Sequence, residues 1–341
     1  MILENRLLFA IGEVSILFDT IINYLSVQFS FIATPSHGLY FLYIISAIVI
    51  AVLYTYLINK RNSSLKEIVN KLFYEHTSNR VSIIDDLKVF VVDKLLLGFV
   101  YSSIFGLAII IKSTVLDVIT TNFNTHGMFE PTLLISLIYT IGAILVFDFG
   151  TFLEHYLAHR VRFLWEFHKV HHVPVTLNPL TAYRSHPVNQ ACYIIVTSGL
   201  LGLYSGLFNS FFDGQSLAIT FAGQNLFMFL FLVLGLNLQH SHVNIRYPRI
   251  LRDIFVSPSY HQLHHSSNPV HYDKNFGFLF SFWDRLFGCQ YHPNKETKLE
   301  FGIPDEYASY SGLYNHYVEP IRRAVRLTRS RKSNVDIQSL D

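Results

Sequence analysis

The histidines of this chain are concentrated in one region and fall into short repeated patterns. Of 17 histidines, 12 lie between residues 155 and 271. EHYLAH carries His155 and His159, EFHKVHH carries His168, His171 and His172, and YHQLHH carries His261, His264 and His265. Residues three and four apart share a face of an α-helix, so each pattern would present its imidazoles together. Grouped imidazoles suit a metal ion.

Local signals place these patterns at helix ends. Ser257 and Pro258 are a typical N-cap and first helical residue, and they predict a helix carrying His261 to His265. Val173 and Pro174 end the helix that carries His168 to His172. His155 and His159 close a long apolar run, so all three patterns could meet at one membrane surface.

The number of imidazoles predicts two metal ions. Three unmetallated clusters would repel one another if charged and be poorly solvated if neutral. Eight or more imidazoles exceed the four positions of one tetrahedral site. Imidazole suits zinc, copper, iron and nickel alike, so residue types do not choose the metal. Few acids and no nucleophile motif accompany the clusters, which favours iron and oxygen chemistry; a structural or hydrolytic di-zinc site stays open, as does a metal transporter.

Composition predicts an all-α integral membrane helical bundle. The chain has 341 residues, of which 51% are hydrophobic and 15% charged. Five apolar runs approach the 20 or so residues that span a bilayer: Leu39–Ile58, Leu95–Ile111, Thr132–Phe152, Ala191–Phe208 and Leu217–Leu236. The segment Leu7–Ala33 contains Glu13 and Asp19, and is better suited to an interfacial or re-entrant helix.

Charge distribution predicts the orientation. The segment between the first two runs carries Lys60, Arg61, Lys66, Lys71, Arg80 and Lys88, whereas residues 113–131 and 209–214 carry no lysine or arginine. The former segment is therefore predicted to be cytoplasmic. The histidine-rich segments then form a cytoplasmic helical cap on a multi-pass protein. A net charge of +2 without a basic stripe gives no indication of nucleic-acid binding, two cysteines are too few for a disulfide scaffold, and no cleavable signal peptide is evident.

The order of the motifs resembles a known superfamily. DFGTFLEHYLAHRVRFLWEFHKVHH is followed by YRSHP, QHSHVNIR, SPSYHQLHHS and HYDKNFGFLFSFWDRLFG. From about Asp148 to Gly288 this resembles the fatty acid hydroxylase and sterol desaturase superfamily of integral-membrane di-iron oxygenases. The resemblance implies a membrane region over 1–130, a di-metal catalytic domain over 131–290 and a cytoplasmic tail over 291–341.

The activity implied is oxygen-dependent hydroxylation or desaturation of a lipid C–H bond. The cofactors would be two Fe²⁺ ions and O₂, with zinc as a substitute after isolation. The lipid, a sterol, fatty acyl, sphingoid, carotenoid or ether lipid, would enter from the bilayer. Electrons would come from a separate cytochrome, ferredoxin or reductase-type protein.

The resemblance also assigns residues. It makes ligands of His155, His159, His168, His171, His172, His186, His261, His264 and His265. His240 and His242 compete for one further position, with HVNIR favouring His242, and His271 is a ligand or a hydrogen-bonding neighbour. Asp148 lies two helical turns before His155 and, with Asp273 and Asn275, is expected to orient ligands. Asn189 stands where many relatives have an acid, and Cys289 where they have threonine.

Overall fold

The computed structural model describes residues 19–20, 22–58, 64–73, 80–125, 128–212, 217–292 and 299–338, and it is largely helical. Residues 7–18 and 21 of the predicted interfacial segment Leu7–Ala33, Glu13 included, lie outside the described residues.

The described regular elements follow one another along the chain. The α-helices are α1 (Phe41–Ile58), α2 (Leu65–Phe73), α3 (Arg80–Val92), α4 (Gly98–Phe105), α5 (Leu107–Phe123), α6 (Leu133–Arg160), α7 (Arg162–His172), α8 (Pro187–Asn209), α9 (Leu226–Val233), α10 (Arg249–Arg252), α11 (Pro258–His264), α12 (Phe282–Leu286), α13 (Tyr307–Tyr310) and α14 (Leu313–Gln338). A π-helical turn, Asp93–Leu97, joins α3 to α4, and 3₁₀ turns cover Ser30–Ile32, Pro179–Tyr183, Leu236–Leu238 and Pro269–His271. Strands β1 (Thr220–Phe221) and β2 (Gln224–Asn225) form a small antiparallel hairpin.

Three of the described helices are long and apolar enough to cross a membrane: α1, α6 and α8. They agree with the predicted runs Leu39–Ile58, Thr132–Phe152 and Ala191–Phe208. Helix α6 has 28 residues, more than the 20 or so that a bilayer requires, so its last turns, with His155 and His159, can project beyond the hydrocarbon. These helices support a membrane protein.

The other two predicted spans are not confirmed, because neither forms one continuous helix long enough to cross a membrane. Leu95–Ile111 is divided among the π-helical turn, α4 and α5, with a turn at Gly106. Leu217–Leu236 folds into the β1–β2 hairpin and the eight-residue helix α9, and its turns use Gly223 at φ +77° and Gly235 at φ +117°. Such angles are open to glycine but break a helix, and hydropathy alone does not register them.

Glycines allow α8 to lie against its neighbours. A Cβ added at Gly202 would stand 2.8 Å from the carbonyl oxygen of Ala108, and one at Gly206 would stand 2.8 Å from that of Lys112. Spacing of small residues by four is a common way for membrane helices to approach closely. Helices α5 and α8 therefore pack with their backbones nearly in contact.

A buried ion pair fixes the segment that follows α7. Arg184 Nη1 lies 3.0 Å from Asp86 Oδ1, and both side chains are almost fully buried. Asp86 Oδ2 also accepts hydrogen bonds from Asn178 Nδ2 and Thr181 Oγ1, while Arg184 Nε donates to the Val170 carbonyl at 3.0 Å. Since the geometry satisfies both charges, the pair ties α3 to the helix that carries His168, His171 and His172.

Candidate metal centre

Nine of the histidines converge into two adjacent groups. The first group contains His155, His159, His168, His172 and His264, and the second contains His171, His240, His261 and His265. Within each group, one ring nitrogen from every member lies within 4.8 Å of the others. The groups touch, since the His172 and His265 rings stack with centroids 4.6 Å apart.

Short-range features bring the imidazoles together. Val161 adopts an extended conformation between α6 and α7, so the chain turns and α7 lies against the end of α6. The predicted N-cap Ser257 accepts a hydrogen bond from the Tyr260 N–H and starts α11, with Pro258 at its first position. Helix α7 ends at His172 as Val173 and Pro174 predicted.

The spacing of the ring nitrogens fits coordination of a metal ion. In the first group, His172 Nε2 lies 3.1 Å from His159 Nε2 and 3.3 Å from His168 Nε2. In the second, His240 Nε2 lies 3.2, 3.0 and 3.1 Å from the Nε2 atoms of His171, His261 and His265, respectively. Two nitrogens bound to one ion at 2.0–2.1 Å would be roughly 2.9–3.4 Å apart for bond angles between octahedral and tetrahedral.

Unpaired ring nitrogens point to the same chemistry. The Nε2 atoms of His155 and His264 are buried and have no hydrogen-bond partner among the described residues. A buried polar atom without a partner is costly, and a bound cation would relieve that cost. The residues of both groups therefore fit metal ions.

Carbonyl and side-chain oxygens fix the tautomers of several rings. His155 Nδ1 lies 2.8 Å from the Phe276 carbonyl oxygen, and His264 Nδ1 lies 2.8 Å from that of Lys274. A carbonyl only accepts, so Nδ1 carries the proton and Nε2 presents its lone pair. His168 Nδ1 similarly contacts Asn189 Oδ1 at 3.0 Å.

Burial keeps the clustered imidazoles neutral. It lowers the pKa of His168, His172, His240, His261, His264 and His265 well below the usual value, and neighbouring imidazoles lower it further. For His171 burial lowers the pKa to about 3. Neutral imidazole is the form that binds a metal, so the site is prepared for cations near pH 7.

The three predicted orienting residues lie at different distances from the histidines. Asp273 is half-exposed, and its Oδ1 lies 3.6 Å from His159 Nδ1. Asp148 is fully buried, and its carboxylate instead accepts hydrogen bonds from the backbone N–H groups of Leu279 and Phe280 and from the Trp283 ring N–H, at 2.7, 3.1 and 2.9 Å. Asp148 thus anchors the loop whose Phe276 carbonyl orients His155.

Asn275 braces the same loop. At φ +61°, it donates Nδ2–H to the Tyr260 and Tyr291 carbonyls and accepts the Tyr291 N–H through Oδ1 at 2.8 Å. Asparagine tolerates this left-handed conformation better than most residues do. Its side chain therefore holds the segment between Tyr260 and Tyr291, while Asp273 stands nearer to the histidines.

Sequence reasoning missed Asp284. Its carboxylate accepts hydrogen bonds from the Phe276 N–H at 2.7 Å, the Gly277 N–H at 2.9 Å and the Tyr260 hydroxyl at 3.0 Å. The Cys289 thiol lies 3.2 Å from Oδ1. An acid inside the apolar stretch FSFWDRLFG was the available signal, because a buried charge needs several partners.

Three predicted ligands lie outside the two groups. His186 caps α8, where its Nδ1 accepts the Val188 N–H and its Nε2 donates to the Tyr317 carbonyl at 3.1 Å. His271 packs its ring against Tyr291. His242 is outside as well, whereas His240 is within the second group, so the geometry favours His240 for the position in dispute.

A cavity of about 1010 Å³ opens beside the histidines. It is lined by His155, His168, His171, His240 and His261, and further away by apolar side chains of α6, α8 and α9: Ile144, Phe147, Leu201, Met228 and Leu232. The cavity therefore extends from the apolar helices, of which α6 and α8 are candidate membrane spans, to the candidate metal centre.

Comparisons with known proteins identify the class to which this site belongs. Residues 140–289 match the family described as fatty acid hydroxylase, and this range includes all nine clustered histidines. This match agrees with the superfamily that the order of the motifs predicted, and the matched residues resemble that superfamily. No solved structure matches.

Its curated relatives are lipid-modifying enzymes. The chain is 29% identical to an alkylglycerol monooxygenase of Caenorhabditis elegans over 49% of this chain and 30% of the relative. It is 26% identical to the ornithine lipid hydroxylase OlsE of Rhizobium tropici over 59% and 56%, and 32% identical to the human alkylglycerol monooxygenase over 48% and 32%. The aligned part thus spans about a third of the alkylglycerol monooxygenases and about half of OlsE.

Replacing the Asn189 amide with an apolar side chain tests whether that amide orients His168. In Asn189→Leu, His168 Nδ1 loses its oxygen partner, and we expect metal affinity or activity to fall by about 10–100-fold. Titration of the apoprotein with Fe²⁺ or Co²⁺ measures the affinity. Asn244→Leu, which alters an amide outside both histidine groups, serves as the control. Unchanged affinity in Asn189→Leu would mean that His168 needs no orienting contact.

Proposed function

We propose that this protein is a membrane-bound di-iron oxygenase that hydroxylates a C–H bond of a lipid. One observation carries the proposal: five of the nine clustered histidines line the cavity that the apolar helices α6, α8 and α9 surround. The named activities of the relatives support hydroxylation over desaturation. When bound, two ferrous ions would supply the activation of oxygen and the oxidation of carbon.

The residues of the chain would hold and position the reactants. The two histidine groups would bind the metal ions as neutral ligands, and the carbonyls of Lys274 and Phe276 would keep two of the rings aligned. Ile144, Phe147 and Leu201 would pack against the lipid chain and exclude water from the reacting carbon.

The reaction needs electrons that the substrate does not provide. A lipid R–H, O₂, two electrons and two protons give R–OH and H₂O, so one oxygen atom enters the lipid and the other is reduced to water. We propose an external donor of the cytochrome, ferredoxin or reductase type, acting on the cytoplasmic side. The support for that side is the distribution of lysine and arginine.

Labelled oxygen tests the proposal. Iron-loaded protein in detergent is supplied with ¹⁸O₂, a chemical reductant, and either an alkylglycerol or an ornithine lipid, and the lipids are analysed by mass spectrometry. We expect one ¹⁸O atom in a product, and none with zinc-loaded protein. Absence of labelled product with both lipids, together with two zinc ions that iron does not displace, would instead support a structural or hydrolytic di-zinc site.

A further inference from the structure

A polar region of the cavity lies on the π-helical turn between α3 and α4. Asp93 and Lys94 on this turn, and Tyr101 on α4, line the same cavity as the histidines. π-Helical turns are rare and occur frequently at functional sites, because the wider turn redirects side chains. The turn and α4 together bring an acid, a base and a phenol to the cavity.

The ammonium group of Lys94 lies over an aromatic ring. Its Nζ lies 5.9 Å from the centroid of the Phe90 ring. Burial lowers the pKa of the nearby His37 to about 3, and the charge of Lys94 lowers it further. His37 stacks on Tyr183 with centroids 5.1 Å apart, and all three rings line the cavity. Burial lowers the pKa of Lys94, and the charge of the adjacent Asp93 opposes that shift. In the described part of the chain, Lys94 forms no ion pair within 4.0 Å.

The neighbouring acid is committed to another element. Asp93 Oδ1 accepts a hydrogen bond of 2.8 Å from the Tyr317 hydroxyl on α14. The backbone carbonyl of Tyr317 in turn accepts a hydrogen bond from His186 Nε2. Burial raises the pKa of Asp93 to about 7, so its negative charge is reduced near neutral pH. Asp93 therefore fastens the turn to α14 and only partly neutralises Lys94.

Tyr101 supplies a second polar group without a partner. Its hydroxyl is buried and makes no hydrogen bond with any described residue. Leaving a buried hydroxyl unpaired is costly, and a hydrogen bond to a bound oxygen atom would relieve that cost.

We propose that Lys94 and Tyr101 form a headgroup subsite that binds an anionic oxygen group, a carboxylate or a phosphate, on the lipid substrate. Lys94 Nζ provides the positive charge and the Tyr101 hydroxyl donates a hydrogen bond. The apolar part of the cavity then leads the lipid chain toward His155 and His240. This assignment rests on the proposed lipid oxidation and narrows its substrate to anionic or zwitterionic lipids.

Binding without turnover tests the subsite. The full chain in detergent is mixed with oleate, oleoyl lysophosphatidate or oleyl alcohol, and dissociation constants are measured by native mass spectrometry. We expect at least one of the anionic lipids to bind about tenfold or more tightly than the alcohol, as suits a charge-assisted contact. The tighter of the two identifies carboxylate or phosphate as the group bound.

Variants assign the preference to the cavity. Lys94→Met should remove the preference while Lys94→Arg retains it, and Tyr101→Phe should weaken it several-fold. Lys88→Met is the matched control, because Lys88 loses the same charge from a side chain that is 53% exposed and outside the cavity lining.

Two results would overturn the assignment. The first is that wild-type protein binds all three lipids equally. The second is that Lys94→Met weakens the binding of the alcohol as much as the binding of the anionic lipids, which would indicate a structural role for Lys94. The binding assay needs no iron, oxygen or reductant. Failure of the subsite is therefore separate from failure of the oxygenase, which the labelled-oxygen experiment tests.

Discussion

His240→Ala should lower the bound metal from two ions per chain to about one and reduce lipid oxidation by roughly a thousandfold or more. His240 Nε2 is within 3.2 Å of the Nε2 atoms of His171, His261 and His265, so its loss opens the centre of the second group. A thousandfold loss corresponds to about 4 kcal/mol of transition-state stabilisation. Elemental analysis and product formation measure the two effects.

His242→Ala is the matched control for this prediction. His242 is two residues away and lies outside both groups. The His242→Ala protein should keep two metal ions and most of the lipid-oxidising activity. The opposite pattern, with metal lost from His242→Ala and retained in His240→Ala, would restore the ligand that the HVNIR motif favoured and contradict the arrangement described above.

Asp284→Ala should destabilise the protein by about 3–5 kcal/mol, as expected when a buried charged network is broken. The Phe276 and Gly277 N–H groups and the Tyr260 hydroxyl would lose their acceptor. The carbonyls that orient His155 and His264 belong to the same loop, so metal affinity should fall as well. Unfolding in detergent, followed by circular dichroism, gives the stability change.

A nearby surface acid controls for the loss of charge alone. Asp253→Ala removes a carboxylate that is 38% exposed and 3.8 Å from Arg252, so its effect should stay below about 1 kcal/mol. Equal effects of the two substitutions would show that the hydrogen bonds of Asp284 are unimportant. Asp284→Asn, which keeps the shape and one acceptor oxygen, should fall between them.

The histidine patterns could be predicted because their geometry is local. Spacing of three and four residues places His261 beside His264 and His265 on any α-helix, and Ser257 with Pro258 marks where that helix begins. The family resemblance added the order of the motifs. Eight of the nine clustered histidines, all except His240, were assigned as ligands from these features.

The remaining features depend on tertiary contacts or irregular backbone. His240 follows a 3₁₀ turn, so no helical periodicity decides between it and His242. The roles of Asp148 and Asp284 depend on N–H groups of a distant or irregular loop. The apolar run Leu217–Leu236 has the composition of a span, and only the glycine conformations reveal the hairpin.

The metal content of protein purified anaerobically in detergent tests the central claim most directly. Elemental analysis combined with Mössbauer spectroscopy after ⁵⁷Fe loading counts the ions and reports their oxidation state. We predict two ferrous ions per chain, both oxidised when oxygen is admitted. One ion or none per chain, or two ferrous ions that oxygen leaves unchanged in the presence of lipid and reductant, would contradict a di-iron oxygenase.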